Sequence, residues 1–171
     1  DVKVVVFKSL DPDYFIAHVD VTRIVDIRDE AAKLAADSSV GLLFRYLSAS
    51  RLVTIAQIAG RVRGVGSEFA LACDMRFAAR SAALFCQFEA AFGVLPGAGG
   101  VQYLVRLMGR AKALEVMLSA QDFDADSAER LGWVNRSVPD EALDSTVRAL
   151  ALRIATIPAA GLEAVKQRVN A

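Results

Sequence analysis

An α/β fold ending in a helical tail is predicted by three observations. Short β-branched and apolar runs alternate with helical patterns over the first two-thirds of the chain. Helical periodicity dominates the remainder. No repeat, low-complexity tract or linker interrupts the 171 residues, which predicts a single domain over 1–171. Within it, an α/β core runs to about residue 140 and a helical segment from about 141 to the end.

Each element has its own signal. Val2 to Phe7 is β-branched and predicts a buried strand. Asp-Pro within Ser9 to Asp13 marks a turn. Tyr14 to Val21 is a second short apolar segment, and it carries the only histidine, His18. Asp29 to Ala36 and Leu42 to Leu47 predict helices. Leu52 to Ala59 predicts a buried strand ending at Gly60. A loop then reaches Gly66, and a helix follows from Ser67 to Cys73. Met75 to Ala79 predicts a strand and Leu84 to Gln87 a short extended piece. Gly99 to Met108 and Ala111 to Leu118 predict two helices parted by Gly109. Asp126 to Leu131 predicts a short helix, capped by Asp124 or Asp126 and closed by Gly132. Trp133 to Val138 predicts a strand, with Trp133 as a core or interface packing residue. Glu141 to Ile157 predicts a long helix stopping before Pro158, with Leu143, Val147, Leu150 and Ile154 as its packing stripe. Gly161 to Asn170 predicts the last helix.

Composition removes several function classes. Twenty Lys and Arg balance twenty Asp and Glu, so the chain is not a strongly basic nucleic-acid binder. No apolar run approaches the roughly 18 residues of a membrane span, so no membrane association is expected. Cys73 and Cys86 lack metal spacing and predict reduced, core-type thiols of a cytoplasmic protein. No metal or redox cofactor is indicated. The chain opens directly in a strand, without a signal peptide, and stops at a helix, which predicts trimming at both ends.

The chemistry concentrates between Ile58 and Gly100. Gly-Arg-Val-Arg-Gly-Val-Gly-Ser-Glu (Gly60 to Glu68) places a glutamate in the first turn of a helix after a glycine-punctuated turn. Glu89 follows 21 residues later, beside Gly-Val-Leu-Pro-Gly-Ala-Gly-Gly (Gly93 to Gly100) and a second helix start. Helix N-termini present free N–H groups and positive dipole ends, which suit a developing oxyanion. Two carboxylates can divide general acid and base work. The glycines do not make a phosphate loop, because the Walker lysine and Ser/Thr are missing. Arg61 and Arg63 flank the first turn, either as solvated loop residues or as contacts to phosphate.

These residues resemble the crotonase superfamily, the enoyl-CoA hydratases and isomerases of the ClpP/crotonase-like fold. The match runs along most of the chain. It is most specific from Ile55 to Asp74, then at Phe85, Glu89, Gly93, Pro96, Gly97, Gly99 and Gly100. Gly109-Arg110-Ala111 and the stretch from Ala128 to Val134 add to it. The resemblance implies repeated ββα units, C-terminal helices that support a homotrimer or hexamer, and an acyl-CoA thioester substrate. Coenzyme A would be part of that substrate, with no separate cofactor. It further implies an oxyanion hole made by the Val19 and Val65 N–H groups. Ala17, His18, Asp20, Gly64, Gly66, Phe88, Pro96 and Gly97 would line the substrate site. Glu68 and Glu89 stand where hydratases of the family hold one water between two carboxylates. The first would activate the water for attack at Cβ, and the second would deliver a proton to Cα.

The implied reaction is hydration of a 2-enoyl-CoA. Alternatives are double-bond isomerisation or other enolate chemistry through one glutamate, and a non-catalytic subunit that binds acyl-CoA or serves as a scaffold. Three departures motivate the last. His18 and Val65 replace usual glycines, and Phe88 replaces a common proline. The stretch from Val21 to Leu52, which supplies part of the family's acyl pocket, is short. The family's N-terminal strand, which helps form the adenine pocket, is not in the chain.

Overall fold

The computed structural model describes residues 2–23, 26 and 39–170; the helix expected over Asp29 to Ala36 lies outside them. The first strand–strand unit is β1 (Val4–Lys8) and β2 (Tyr14–Ile16), with helix α1 (Val40–Ala49) after it. Next come β3 (Val53–Ile58), β4 (Arg61–Arg63) and α2 (Val65–Ala72). The third unit is β5 (Met75–Ala79), β6 (Leu84–Cys86) and the long α3 (Gly100–Ser119). Then follow β7 (Phe123–Asp124), α4 (Ala125–Leu131), β8 (Arg136–Val138), α5 (Leu143–Ala155) and α6 (Ala159–Asn170).

The strands of each unit separate into two sheets. One has the order β1-β3-β5-β8 and the other β2-β4-β6-β7. Every neighbouring pair is parallel except β6 with β7. The second strands of the three units therefore lie side by side and point the same way. Tyr14 pairs with Arg61 and Arg61 with Leu84, so their carboxyl ends share one edge. Loops leaving that edge are well placed to build a site.

Strand β3 shows why the apolar runs are continuous. Ile55 packs with Phe77 against Leu143 and Val147 of α5. Ala56 and Ile58 point the other way, into the main core with Phe85, Leu104 and Trp133. A strand covered on both faces needs apolar residues at every step. Trp133 is fully buried, its ring against Phe85 and Phe123, and its Nε1–H donates to Ser67 Oγ at 3.1 Å. Truncating it to alanine costs about 3–5 kcal/mol by the usual penalty for emptying an aromatic core position.

Local chemistry ends the elements where expected. Asp11 Oδ1 accepts from the Asp13 and Tyr14 N–H groups and fixes the turn between β1 and β2. Asp124, not Asp126, caps α4 through the Ser127 N–H at 2.7 Å. Gly109 has non-helical angles (φ 79°, ψ 165°) and breaks α3 into its two predicted halves.

Several boundaries differ from the sequence reading. Arg61–Arg63 is a strand, not part of a loop from Gly60 to Gly66, and α2 begins at Val65 rather than Ser67. Its apolar signal is the single buried Val62 between two arginines, too short to show alternation. Strand β7 has two residues and pairs only with β6. The expected strand from Trp133 shrinks to Arg136–Val138, because Trp133 and Val134 bond back to the Ala128 carbonyl at the end of α4. The long helix starts at Leu143, after a 3-10 turn at Asp140–Ala142. Among the described residues no helix is long and apolar enough to cross a membrane.

Candidate active site

Three loops leave the carboxyl ends of β2, β4 and β6 and meet. The first carries Ala17, His18, Val19 and Asp20. The second is the Gly64-Val65-Gly66 turn that opens α2. The third carries Gln87, Phe88 and Glu89. Parallel pairing of the strands brings them together, and close contacts lock them. A Cβ at Gly66 would run into the Ile16 carbonyl, so only glycine lets β2 and α2 approach this closely. Gly64 has φ +50°, and a Cβ there would overlap the His18 imidazole.

Glu68 sits in the first turn of α2 and is buried. Its carboxylate leaves its own helix and caps the next one. Oε1 accepts from the Ala98 N–H at 2.7 Å and the Gly100 N–H at 2.8 Å, two donors at the start of α3. The glycine-rich turn before α3 thus points its N–H groups at a glutamate. Burial raises the Glu68 pKa above its ordinary value; the two N–H bonds work against that rise, and the nearby Glu89 carboxylate adds to it.

Glu89 opens a 3-10 turn (Glu89–Phe92) and is also buried, not solvated as an ordinary turn residue would be. Its Oε1 accepts from Gln87 Nε2 at 2.8 Å. Its Oε2 is buried with no hydrogen-bond partner. Such an oxygen carries a desolvation cost of about 1–3 kcal/mol or more unless a ligand or water meets it. Gln87 is the positioning residue that the motif reading missed; only its place two residues before Glu89 hints at the role. Its Nε2 also lies 3.4 Å from the Gly64 carbonyl, tying the third loop to the second.

The remaining sequence-picked residues divide. Val65 is the first residue of α2, and its N–H donates to His18 Nδ1 at 2.9 Å. Burial lowers the His18 pKa, opposed by Glu89. Phe88 meets His18 edge-on at 5.0 Å, with Phe92 and the Arg63 guanidinium also against its ring. Ala17 is exposed in the first loop. Asp20 turns away and accepts from the Thr22 N–H and Oγ1–H. Pro96 and Gly97 precede Ala98 and approach Glu68 through it. Arg61 and Arg63 are half-buried and both pair with Asp122, at 3.3 and 2.9 Å.

A wide cleft lies elsewhere. About 770 Å³ opens under α6, lined by apolar groups such as Leu71, Met75, Leu107 and Leu162, and it holds neither glutamate. The ionic pair there, Lys166 with Asp74 at 2.8 Å, is already satisfied, and Lys166 also donates to the Leu52 carbonyl. It fastens α6 to the core and offers no free acid or base.

Known proteins share this fold. The crystal structure of a "putative enoyl-CoA hydratase" from Streptomyces avermitilis superimposes with a TM-score of 0.93 at 52% identity, over 98% of this chain and 61% of that one. The "probable enoyl-CoA hydratase" of Mycobacterium tuberculosis is 40% identical over 85% of this chain and 57% of its own length. The short-chain-enoyl-CoA hydratase of Clostridium acetobutylicum is 37% identical over 75% of this chain and 49% of its own. The chain thus spans roughly half to three-fifths of these relatives, and its fold is the crotonase fold. The family model for enoyl-CoA hydratase/isomerase matches residues 1–171. With that match, and with two buried glutamates at the shared edge of three parallel strands, the chain belongs to the enoyl-CoA hydratase/isomerase family.

Proposed function

We propose that this chain carries the active site of a lyase that adds water to a 2-enoyl-CoA. The observation that carries the reading is the buried, unpartnered Oε2 of Glu89 beside the buried Glu68. Two neighbouring carboxyl groups with an oxygen left over suit a water held between them. The thioester oxygen would lie against the Val19 and Val65 N–H groups, and losing one such donor typically costs about 3 kcal/mol of transition-state stabilisation. Glu68 would orient and activate the water. Its oxygen bonds to Cβ as the double-bond electrons move toward the carbonyl, and a proton passes through Glu89 to Cα. One water is consumed, and both glutamates end as they began. Ala17, Gly64, Gly66, Phe88, Pro96 and Gly97 would shape the acyl site. Hydration of this kind needs no group beyond the coenzyme A of the substrate.

The test is the absorbance of the conjugated enoyl thioester in a panel of 2-enoyl-CoA substrates. Decay with wild type, a 3-hydroxy product by mass, and none with Glu89→Gln would support hydration. No decay across the panel, with the chain folded, would sink it.

One observation favours a second reading. Glu68 Oε1 is committed to two backbone donors, while Glu89 is held by one amide. Glu89 alone could then shuttle a proton in a double-bond isomerisation. Full activity in Glu68→Gln would select that reaction.

The assembly proposed is a homotrimer or hexamer. Leu152, Val165 and Val169 on the last two helices are exposed and would be covered in it. Sedimentation of a monomer would refute it. A cytoplasmic setting is proposed from the free, buried thiols of Cys73 and Cys86.

A further inference from the structure

The Val65 N–H does not stand open. It donates to His18 Nδ1 at 2.9 Å, and that ring lies over the Gly64 turn with Phe88 edge-on at 5.0 Å. An imidazole nitrogen and a carbonyl oxygen cannot both lie on the axis of one N–H. We propose that His18 gates the site: in the free protein its neutral ring occupies the Val65 donor, and an acyl thioester takes that donor only as the ring leaves. This rests on the reading of Val65 as an oxyanion donor.

The gate has a defined proton state. A ring that accepts at Nδ1 carries its hydrogen on Nε2. Protonated at both nitrogens it has nothing to accept with, so acid opens the gate. Among the described residues, three charged groups lie near the ring. Glu89 acts on it from the third loop. Arg63 sits beyond Phe88 and is paired with Asp122. Asp20 on the ring's own loop is tied to Thr22. Burial and the bond from Val65 both favour the neutral ring, so release on binding makes the imidazole more basic. Thioester binding is then coupled to proton uptake: affinity rises as pH falls below the His18 pKa of the bound state and levels off below that of the free state, which burial holds under the ordinary imidazole value.

His18 is the only histidine, so its ring nitrogens give unambiguous signals. The chain is titrated with acetyl-CoA, a saturated thioester that cannot be hydrated, while the His18 ring nitrogens and the Val65 amide are followed by NMR. The expected result is an Nε2–H tautomer in the free chain, a shift of the Val65 amide on binding, and an Nδ1 signal that loses its hydrogen-bonded position. His18→Gly should bind acetyl-CoA roughly five-fold more tightly above neutral pH, since it no longer gives up one ordinary hydrogen bond on binding. Its affinity should also lose the acid dependence. A Val65 amide that moves while the ring stays put would overturn the gate and leave the oxyanion reading standing. Acetyl-CoA that moves neither, or does not bind, would overturn both.

Discussion

Glu68 and Gly100 are joined across two helices: the carboxylate on α2 accepts the Gly100 N–H at 2.8 Å and, through the same oxygen, the Ala98 N–H at 2.7 Å. The side chain that would act on water also closes the start of α3. The two roles separate by substitution. Glu68→Ala leaves two donors without their acceptor and should cost about 2 kcal/mol in urea denaturation. Glu68→Gln keeps an oxygen in place and should hold stability within about 1 kcal/mol, while hydration falls about 10²-fold or more.

The pH dependence of the Glu68→Gln effect has a fixed sign. Burial raises the Glu68 pKa above 4.5, so the folded protein holds this proton more tightly than the unfolded chain does. The stability it contributes is present below about 4.5 and fades as pH rises through the raised value. The uncharged amide of the Glu68→Gln variant imitates the protonated carboxyl at every pH. The Tm difference, variant minus wild type, should be near its minimum in acid and grow toward neutrality. A difference that shrinks over that range would contradict the burial argument.

Gln87 should matter chiefly through Glu89, its 3.4 Å contact to the Gly64 carbonyl being the weaker of the two. Gln87→Leu keeps the volume and removes the 2.8 Å bond to Oε1. We expect kcat to fall about tenfold with KM little changed, because the carboxylate loses its orientation rather than its identity. Glu89→Gln should fall further, about 10²–10⁴-fold.

Both thiols should be inert in the folded chain. Burial pushes Cys73 up to about 12 and Cys86 up to about 11, leaving little thiolate at neutral pH. A colorimetric disulfide reagent should label neither cysteine in buffer and both in denaturant.

Lys166 should decide whether α6 stays docked. Its Nζ meets Asp74 at 2.8 Å and the Leu52 carbonyl at 2.7 Å, and it is 8% exposed. Lys166→Met should cost about 2 kcal/mol or more, since it leaves the partly buried Asp74 carboxylate with its Thr54 hydrogen bonds but without its counter-ion. Limited proteolysis should then cut within α6 first.

Elements that carry their own pattern were legible in the sequence. Strand β3 reads as a strand because both its faces are covered, and α3 reads as two helices because Gly109 breaks it. Strand β7 was not legible, since it is two residues held by pairing with Leu84 and Phe85. The glutamates were legible because a first helical turn and a glycine-rich turn mark their places. The bond from Val65 to His18 was not, because 47 residues separate the partners and only the pairing of β2 with β4 brings them together. Nor was the cross-helix role of Glu68, whose two donors lie 30 and 32 residues downstream.

That three successive units each give one loop to the same edge has a consequence for timing. The bonds that define the site close long stretches of chain: 47 residues from His18 to Val65, 32 from Glu68 to Gly100 and 23 from Gln87 to Gly64. Such contacts form only after the entropy of closing those stretches has been overcome. A fragment holding one or two of the units is expected to lack at least one of these three contacts. In refolding, helix content is expected to return before these long-range contacts close.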